Sequence, residues 1–213
     1  MNLVIFGPQG SGKGTQAELI CDKYGLTHIS TGDIFRDHIS RETELGEQVK
    51  AIVERGELVP DELTNALIKD RLLGESDFLL DGYPRNTTQA EFLDTITKID
   101  GVILLKVPDE VVIERISSRR VCPDCGATYN LKFKPPKREG QCDDCNAALI
   151  QRDDDKPQAI ADRLKIYREK TEKAVEHYPD SIVIEADGTG TIAEVFELIE
   201  SDLEALLSKE QSL

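Results

Sequence analysis

The chain opens Asn2-Leu3-Val4-Ile5-Phe6 and runs straight into Gly7-Pro8-Gln9-Gly10-Ser11-Gly12-Lys13-Gly14-Thr15. An apolar run rich in β-formers, a glycine turn ending in lysine, and a helical pattern over residues 16–24 predict a strand, a phosphate-binding loop and a helix. Chemistry explains the residue types. Glycines let successive backbone N–H groups close around a polyphosphate, the helix N-terminus adds its positive dipole end, and Lys13 adds a point charge. The spacing Gly7-x4-Gly12-Lys13 follows the general phosphate-loop pattern, yet the next residue is Gly14 and the hydroxyl arrives one place later, at Thr15. A plain glycine turn explains neither the lysine nor its place at a strand end.

The alternation continues along the chain. Residues 26–29 read as a short strand ending at Ser30-Thr31-Gly32-Asp33, followed by a helix carrying Ile34, Phe35 and Arg36. Residues 43–55 form an amphipathic pattern stopped by Gly56, and Asp61 is expected to cap a further helix through Leu73. Two helices here exceed what one βαβ unit needs, so residues 30–59 are expected to be an inserted helical flap. Phe78-Leu79-Leu80-Asp81 is a buried strand with an acid at its C-terminal end, and Gly82-Tyr83-Pro84-Arg85 turns into a helix over 87–97. Residues 102–107 are apolar without alternation, as in a parallel strand covered on both faces. Helices are expected over 109–120, 157–177 and 191–207, with a last strand at 182–184. The result is an α/β fold, a doubly wound parallel sheet of about five strands with two insertions.

Composition narrows the functional classes. Net charge is −15, from 41 acidic against 26 basic residues, whereas nucleic-acid binding calls for a basic footprint. A small anionic ligand stays possible, because local arginines can dominate one cleft. No apolar run approaches membrane-spanning length, and no charged region precedes a secretory core at the N-terminus, so a cytoplasmic setting is expected.

Four of the five cysteines fall into Cys122-Pro123-Asp124-Cys125 and Cys142-Asp143-Asp144-Cys145, with 16 residues between the pairs. Two such knuckles are the pattern of one tetrahedral Zn²⁺ on four thiolates. Disulfides are the alternative, which a reducing cytoplasm disfavours. Four thiolates leave no open coordination position, so the metal is expected to be structural. Structural zinc supplies about 10–16 kcal/mol in small peptides, ample for a segment whose middle (132–140) is mostly Lys, Pro and Arg. Cys21, alone on the first helix, reads as a small buried hydrophobe.

Arg36, Arg85, Arg115, Arg119, Arg152 and Arg163 stand at strand ends and segment junctions, whereas Arg41, Arg55, Arg71 and Arg138 read as solvated surface. Phosphoryl transfer uses arginine because charge spreads over equatorial oxygens that planar guanidinium forks match bidentately. A positive cleft in a negative protein is the expectation. Asp81 can hold a magnesium-bound water beside the phosphate loop, or cap the Gly82 turn. Asp153-Asp154-Asp155 either pair with arginines or form a solvated acidic turn. His28, His38 and His177 show no metal-ligand spacing and carry no assigned chemistry.

Together, GPQGSGKGTQA at 7–17, STGDIFR at 30–36, DGYPR at 81–85 with Gln89, RISSRR at 115–120, the knuckles, QRDDD at 151–155 and ADR at 161–163 resemble the adenylate kinases, in their long form with a zinc lid. The resemblance runs over residues 2–199, and Gly14-Thr15 is what nucleoside monophosphate kinases carry. It implies reversible phosphoryl transfer from Mg-ATP to AMP, giving two ADP, on a P-loop NTPase core (1–29, 60–117, 156–213) with an AMP flap (30–59) and a lid (118–155). Catalysis falls by resemblance to Lys13, Arg85, Arg119, Arg152 and Arg163. Gly10, Ser11, Gly12, Lys13, Gly14 and Thr15 would hold ATP phosphates, with Arg115, Arg119, Thr128, Tyr129 and Gly190 completing the ATP site. Thr31, Arg36, Glu57, Leu58, Val59, Gly82, Tyr83, Pro84, Arg85 and Gln89 would hold AMP, with Arg152 and Arg163. The implied metals are Mg²⁺ near Asp81 and Zn²⁺ on Cys122, Cys125, Cys142 and Cys145, and a monomer is implied. Asn130, where the family often has histidine, implies weaker stacking on the ATP base; Gly190 replaces a frequent lysine or glutamine. A kinase for UMP, CMP or GMP is the nearest alternative. A zinc-ribbon nucleic-acid module with a vestigial nucleotide site is the other, against which the acidic balance and the full arginine set both count.

Overall fold

The computed structural model describes residues 1–210. Its strands are β1 (Asn2–Phe6), β2 (Thr27–Ser30), β3 (Phe78–Asp81), β4 (Gly101–Lys106), β5 (Arg119–Val121), β6 (Thr128–Asn130) and β7 (Val183–Asp187). Its helices are α1 (Lys13–Tyr24), α2 (Thr31–Ser40), α3 (Glu44–Glu54), α4 (Asp61–Arg71), α5 (Thr87–Asp94), α6 (Asp109–Ser117), α7 (Pro157–Ile166), α8 (Glu172–Val175) and α9 (Ile192–Glu210). Five strands form one parallel sheet of order β2-β3-β1-β4-β7, while β5 and β6 make a small antiparallel pair. β1 is central. The chain leaves it for β2 and β3 on one side, then crosses to β4 and β7, so the order reverses at the C-terminal end of β1, where the glycine loop begins. Open α/β sheets bind ligands at that crevice. Register aligns Ile5 with both Asp81 and Ile103, and Ser30 with Asp81, which brings the ends of β1, β2 and β3 together.

The unbroken apolar strands follow from burial on both faces. Leu3 and Ile5 pack with Ala17 and Ile20 of α1 and Val195, Ile199 and Leu203 of α9. Val4 and Phe6, pointing the other way, pack with Ile68 of α4, Ala90 and Leu93 of α5 and Ala174 and Val175 of α8. Each face of β1 is thus closed by its own helix layer.

Several boundaries differ from the sequence expectation, each for a local reason. Asp61 does not cap α4: Pro60 is the N-cap residue, and the Asp61 carboxylate instead accepts from Asn86 and Gln89. α5 ends early, where the Thr95 hydroxyl donates to the Phe92 carbonyl at 2.7 Å. α6 stops at Ser117, as the hydroxyls of Ser117 and Ser118 donate to the carbonyls of Ile113 and Glu114 and release Arg119 into β5. The expected long helix over 157–177 is interrupted by a π-turn, Tyr167–Thr171, whose Thr171 hydroxyl donates to the Arg85 carbonyl at 3.0 Å. Among the described residues no helix is long and apolar enough to cross a membrane.

Candidate active site

The glycine loop is a tight cradle. Gly10 and Gly12 adopt φ of +74° and +100°, a region that disfavours side chains, and a Cβ on Gly10 would meet Ile116 Cγ1 at 2.6 Å. Lys13 curls its ammonium back into the loop, donating to the carbonyls of Gly7 at 2.7 Å and Pro8 at 2.8 Å. Burial pulls its pKa down to about 8, with Asp81 opposing and Arg85, Arg163 and Arg119 reinforcing the fall. Ser11 is buried with its hydroxyl unpartnered among the described residues. Gly14 lies beside the acid of β3, since a Cβ there would stand 3.7 Å from Asp81 Oδ2. Thr15 follows in the first turn of α1.

Asp81 caps nothing among the described residues. Its carboxylate faces Lys13 and Arg85, with His28 Nε2 at 3.7 Å. Burial pulls the His28 imidazole down, but Asp81, Asp33 and Glu18 together hold it above its usual value. His28, assigned no chemistry from sequence, is therefore a neighbour of the candidate magnesium position. The pairing is across strands, β2 to β3, and no local pattern announces it.

Five of the six junction arginines converge, and Arg115 lies apart from them. Arg119 makes a two-pronged ion pair with Asp155, whose side chain is fully buried, and Arg163 donates to Asp154 Oδ2 at 2.7 Å. The three aspartates thus include two arginine partners; Asp153 instead pairs with Lys156 at the surface. Arg36 pairs with Asp33, and Arg85 Nε donates to the Gly82 carbonyl at 2.7 Å. Arg152 differs from all of these. Its Nε is shielded from water and has no hydrogen-bond partner among the described residues. Burial first, then Arg36 and Arg119, push it down to about 9, with Asp154 and Asp155 opposing.

A cleft opens beside this cluster, lined by Thr31, Arg36, Glu57, Leu58, Val59, Gly82, Arg85, Gln89 and Arg163. The Glu57 side chain is held by Arg55 through two bonds of 2.8 Å. Thr31 donates its hydroxyl to the Gly82 carbonyl at 2.9 Å. Tyr83 and Pro84 do not line the cleft. Tyr83 is a core residue whose hydroxyl donates its proton to Asn65 Oδ1 at 2.7 Å and lies 3.1 Å from the Gln89 carbonyl.

Arg115 ties two loops together, donating to the carbonyls of Ser11 at 3.2 Å and Gly188 at 2.7 Å. The ring near its guanidinium is Phe133, at 5.8 Å and 56% exposed, a residue the sequence reading passed over. Tyr129 is instead committed to the cysteine segment, its hydroxyl accepting from the Asp143 N–H. Thr128 is exposed beside it, and Gly190 is exposed at the start of α9, next to Glu194. Asn130 organises the approach to Phe133: its Nδ2 donates to the Arg115 carbonyl, and its Oδ1 accepts from the N–H groups of Lys132 and Phe133.

The two cysteine knuckles share one geometry. Cys122 N–H donates to the Ala127 carbonyl and Cys142 N–H to the Ala147 carbonyl, both at 2.9 Å, with Gly126 and Asn146 at positive φ in equivalent places. The four sulfurs lie within 4.8 Å of one another, with separations of 3.3, 3.5 and 3.7 Å for three of the pairs. Four sulfurs at about 2.3 Å from a tetrahedral Zn²⁺ stand about 3.8 Å apart, whereas a disulfide needs about 2.05 Å, so the set fits a metal. The Tyr129 hydroxyl bond is the largest factor lowering the Cys142 thiol to about 6, while the neighbouring sulfurs push Cys125 and Cys145 up, as four thiols crowded together without a cation would.

A family model described as adenylate kinase matches residues 5–183. The adenylate kinase of Clostridium tetani is 48% identical over 216 residues, spanning 97% of this chain and 100% of its own. Those of Petrotoga mobilis and Kosmotoga olearia are also 48% identical, the first over 92% of this chain and 94% of its own, the second over 97% and 100%. With a phosphate loop at the switch point, converging arginines and a four-cysteine insertion, the chain belongs to the adenylate kinase family.

Proposed function

We propose that the chain moves the terminal phosphoryl group of Mg-ATP to AMP, reversibly, giving two ADP. One observation carries the reading: Arg152, its Nε shielded and unpartnered, is crowded by Arg36 and Arg119, and Asp154 and Asp155 only partly offset them. A buried guanidinium with a free N–H in a cluster of like charges can accept further negative charge, and a phosphoryl group in transfer supplies it. Residues 10–15 hold the donor phosphates. Lys13 breaks its bonds to Gly7 and Pro8 to meet them. Arg36 and Arg85 take the acceptor phosphate, while Arg119, Arg152 and Arg163 close on the transferring group. No general base is required, since positioning and charge neutralisation carry this reaction. Thr31, Gln89 and the backbone of 57–59 hold the acceptor base; Arg115, joined by Phe133, stacks the donor base. Asp81 would hold Mg²⁺ through water, and the ion would neutralise charge at the phosphates. The four cysteines hold a structural Zn²⁺.

In this reading 30–59 is an AMP flap and 118–155 a lid that excludes water from the transfer. The enzyme works as a cytoplasmic monomer on ATP, AMP and ADP, with no nucleic-acid or membrane partner. A coupled assay of ATP with AMP, UMP, CMP or GMP tests it, and the highest kcat/KM is expected with AMP. Lys13→Met and Arg85→Ala should abolish turnover while the fold survives. Preference for another monophosphate overturns the acceptor assignment, and no ADP with any acceptor favours a binding module.

A further inference from the structure

Gln89 lines the acceptor cleft with its amide held at both ends. Its Oε1 accepts from the Arg85 backbone N–H at 2.8 Å, and its Nε2 donates to Asp61 Oδ1 at 2.7 Å. Neither partner can change role, because a backbone N–H only donates and an ionised carboxylate only accepts. Turning the amide over would set N–H against N–H and oxygen against oxygen. Asp61 is itself braced: its oxygens accept from Asn86 Nδ2 at 2.9 and 3.2 Å, and Asn86 Oδ1 accepts the Gln89 backbone N–H at 2.8 Å. What remains free on the amide is one lone pair on Oε1 and one proton on Nε2, in a fixed order.

That order discriminates between bases. Adenine presents an amino donor beside a ring-nitrogen acceptor, and cytosine presents the same order. Guanine and uracil present a carbonyl acceptor beside an N–H donor, the reverse. An unbraced amide would serve both patterns by turning over. We propose that Asp61 is a specificity-positioning residue which, by holding the Gln89 amide in one order, commits the acceptor site to adenine against guanine. The inference rests on the reading above that the acceptor base meets Gln89. Asp61 lies outside the cleft lining and acts only through Gln89.

Asp61→Asn keeps the shape but offers either a donor or an acceptor, so it removes one of the two braces and leaves the Arg85 N–H alone to oppose turning the amide over. The kcat/KM ratio of AMP to GMP should fall on the order of tenfold, while the ratio of AMP to CMP holds and KM for ATP is unchanged. If the variant does not fold, Asp61→Ser carries the same ratio test. A variant that loses AMP and GMP activity in equal proportion, or keeps the wild-type ratio, overturns the inference. Wild-type protein without AMP activity would instead overturn the reading on which it rests, and the two failures are told apart before any variant is made.

Discussion

The α2–α3 segment and the cysteine segment both interrupt the α/β alternation, and the means by which each is held are opposite. α2 and α3 bury Phe35, Val49 and Val59, backed by Ile39, Leu45, Ile52 and Val53 and by Leu63 and Leu67 of α4. Full burial of Phe35, Val49 and Val59 contributes about 1.5–3 kcal/mol each, so this segment has a core of its own. The cysteine segment buries Cys122, Tyr129 and Cys142 with Ala127, Ala147 and Leu149, and leaves Phe133 and Ile150 about half exposed. Its cluster is small because residues 132–140, mostly Lys, Pro and Arg, have little to bury. A metal on the four cysteines would stand in for the missing core. The difference also divides the labour: the first segment shapes a cleft, whereas the second carries Arg119 and Arg152 near its two ends and places charge.

The comparison breaks most visibly at the cysteines. Cys125→Ser should release metal and loosen the segment that fixes both arginines, lowering kcat at least about a hundredfold. Elemental analysis of fresh wild-type protein that finds no zinc would remove this half of the comparison. Val49→Ala, fully buried at 0% exposure, should cost about 2 kcal/mol of stability and raise KM for AMP, with zinc content unchanged. Equal rises in KM for ATP and AMP would mean that the two segments are not separable.

Lys13, which belongs to neither segment, gives an effect of intermediate size. With burial holding it near pH 8 against a usual value of 10.5, the folded chain binds fewer protons than the unfolded chain between those values. Stability without nucleotide should therefore rise with pH across that window relative to Lys13→Met, while kcat/KM falls above about pH 8. A flat kcat/KM up to pH 9.5 contradicts the assignment. The smallest effect is expected from Arg55→Ala, which breaks a surface ion pair with Glu57 and should leave Tm nearly unchanged, because solvent screens such a pair.

Much of this was legible in sequence because it is written in local pattern. The loop glycines, the five apolar strands, the knuckles and the junction arginines each occupy a short stretch whose chemistry admits few readings. What escaped was decided across the chain. Asp61 looked like a helix cap, but its partners are Asn86 and Gln89. His28 acquires significance only because β2 pairs with β3 and brings it to Asp81. Tyr129 and Phe133, four residues apart, are not separable in sequence as the ring packed in the cysteine segment and the ring beside Arg115, because tertiary contacts decide it. The π-turn at Tyr167–Thr171 sits in an uninterrupted amphipathic pattern, and what marks it is a bond from Thr171 to a residue 86 positions away.

The most direct test of the whole account is product stoichiometry. Phosphorus NMR of Mg-ATP mixed with AMP and wild-type protein should show two ADP formed per ATP consumed, with no inorganic phosphate released and no ATP consumed when AMP is omitted. Release of inorganic phosphate at the same rate with and without AMP would contradict it.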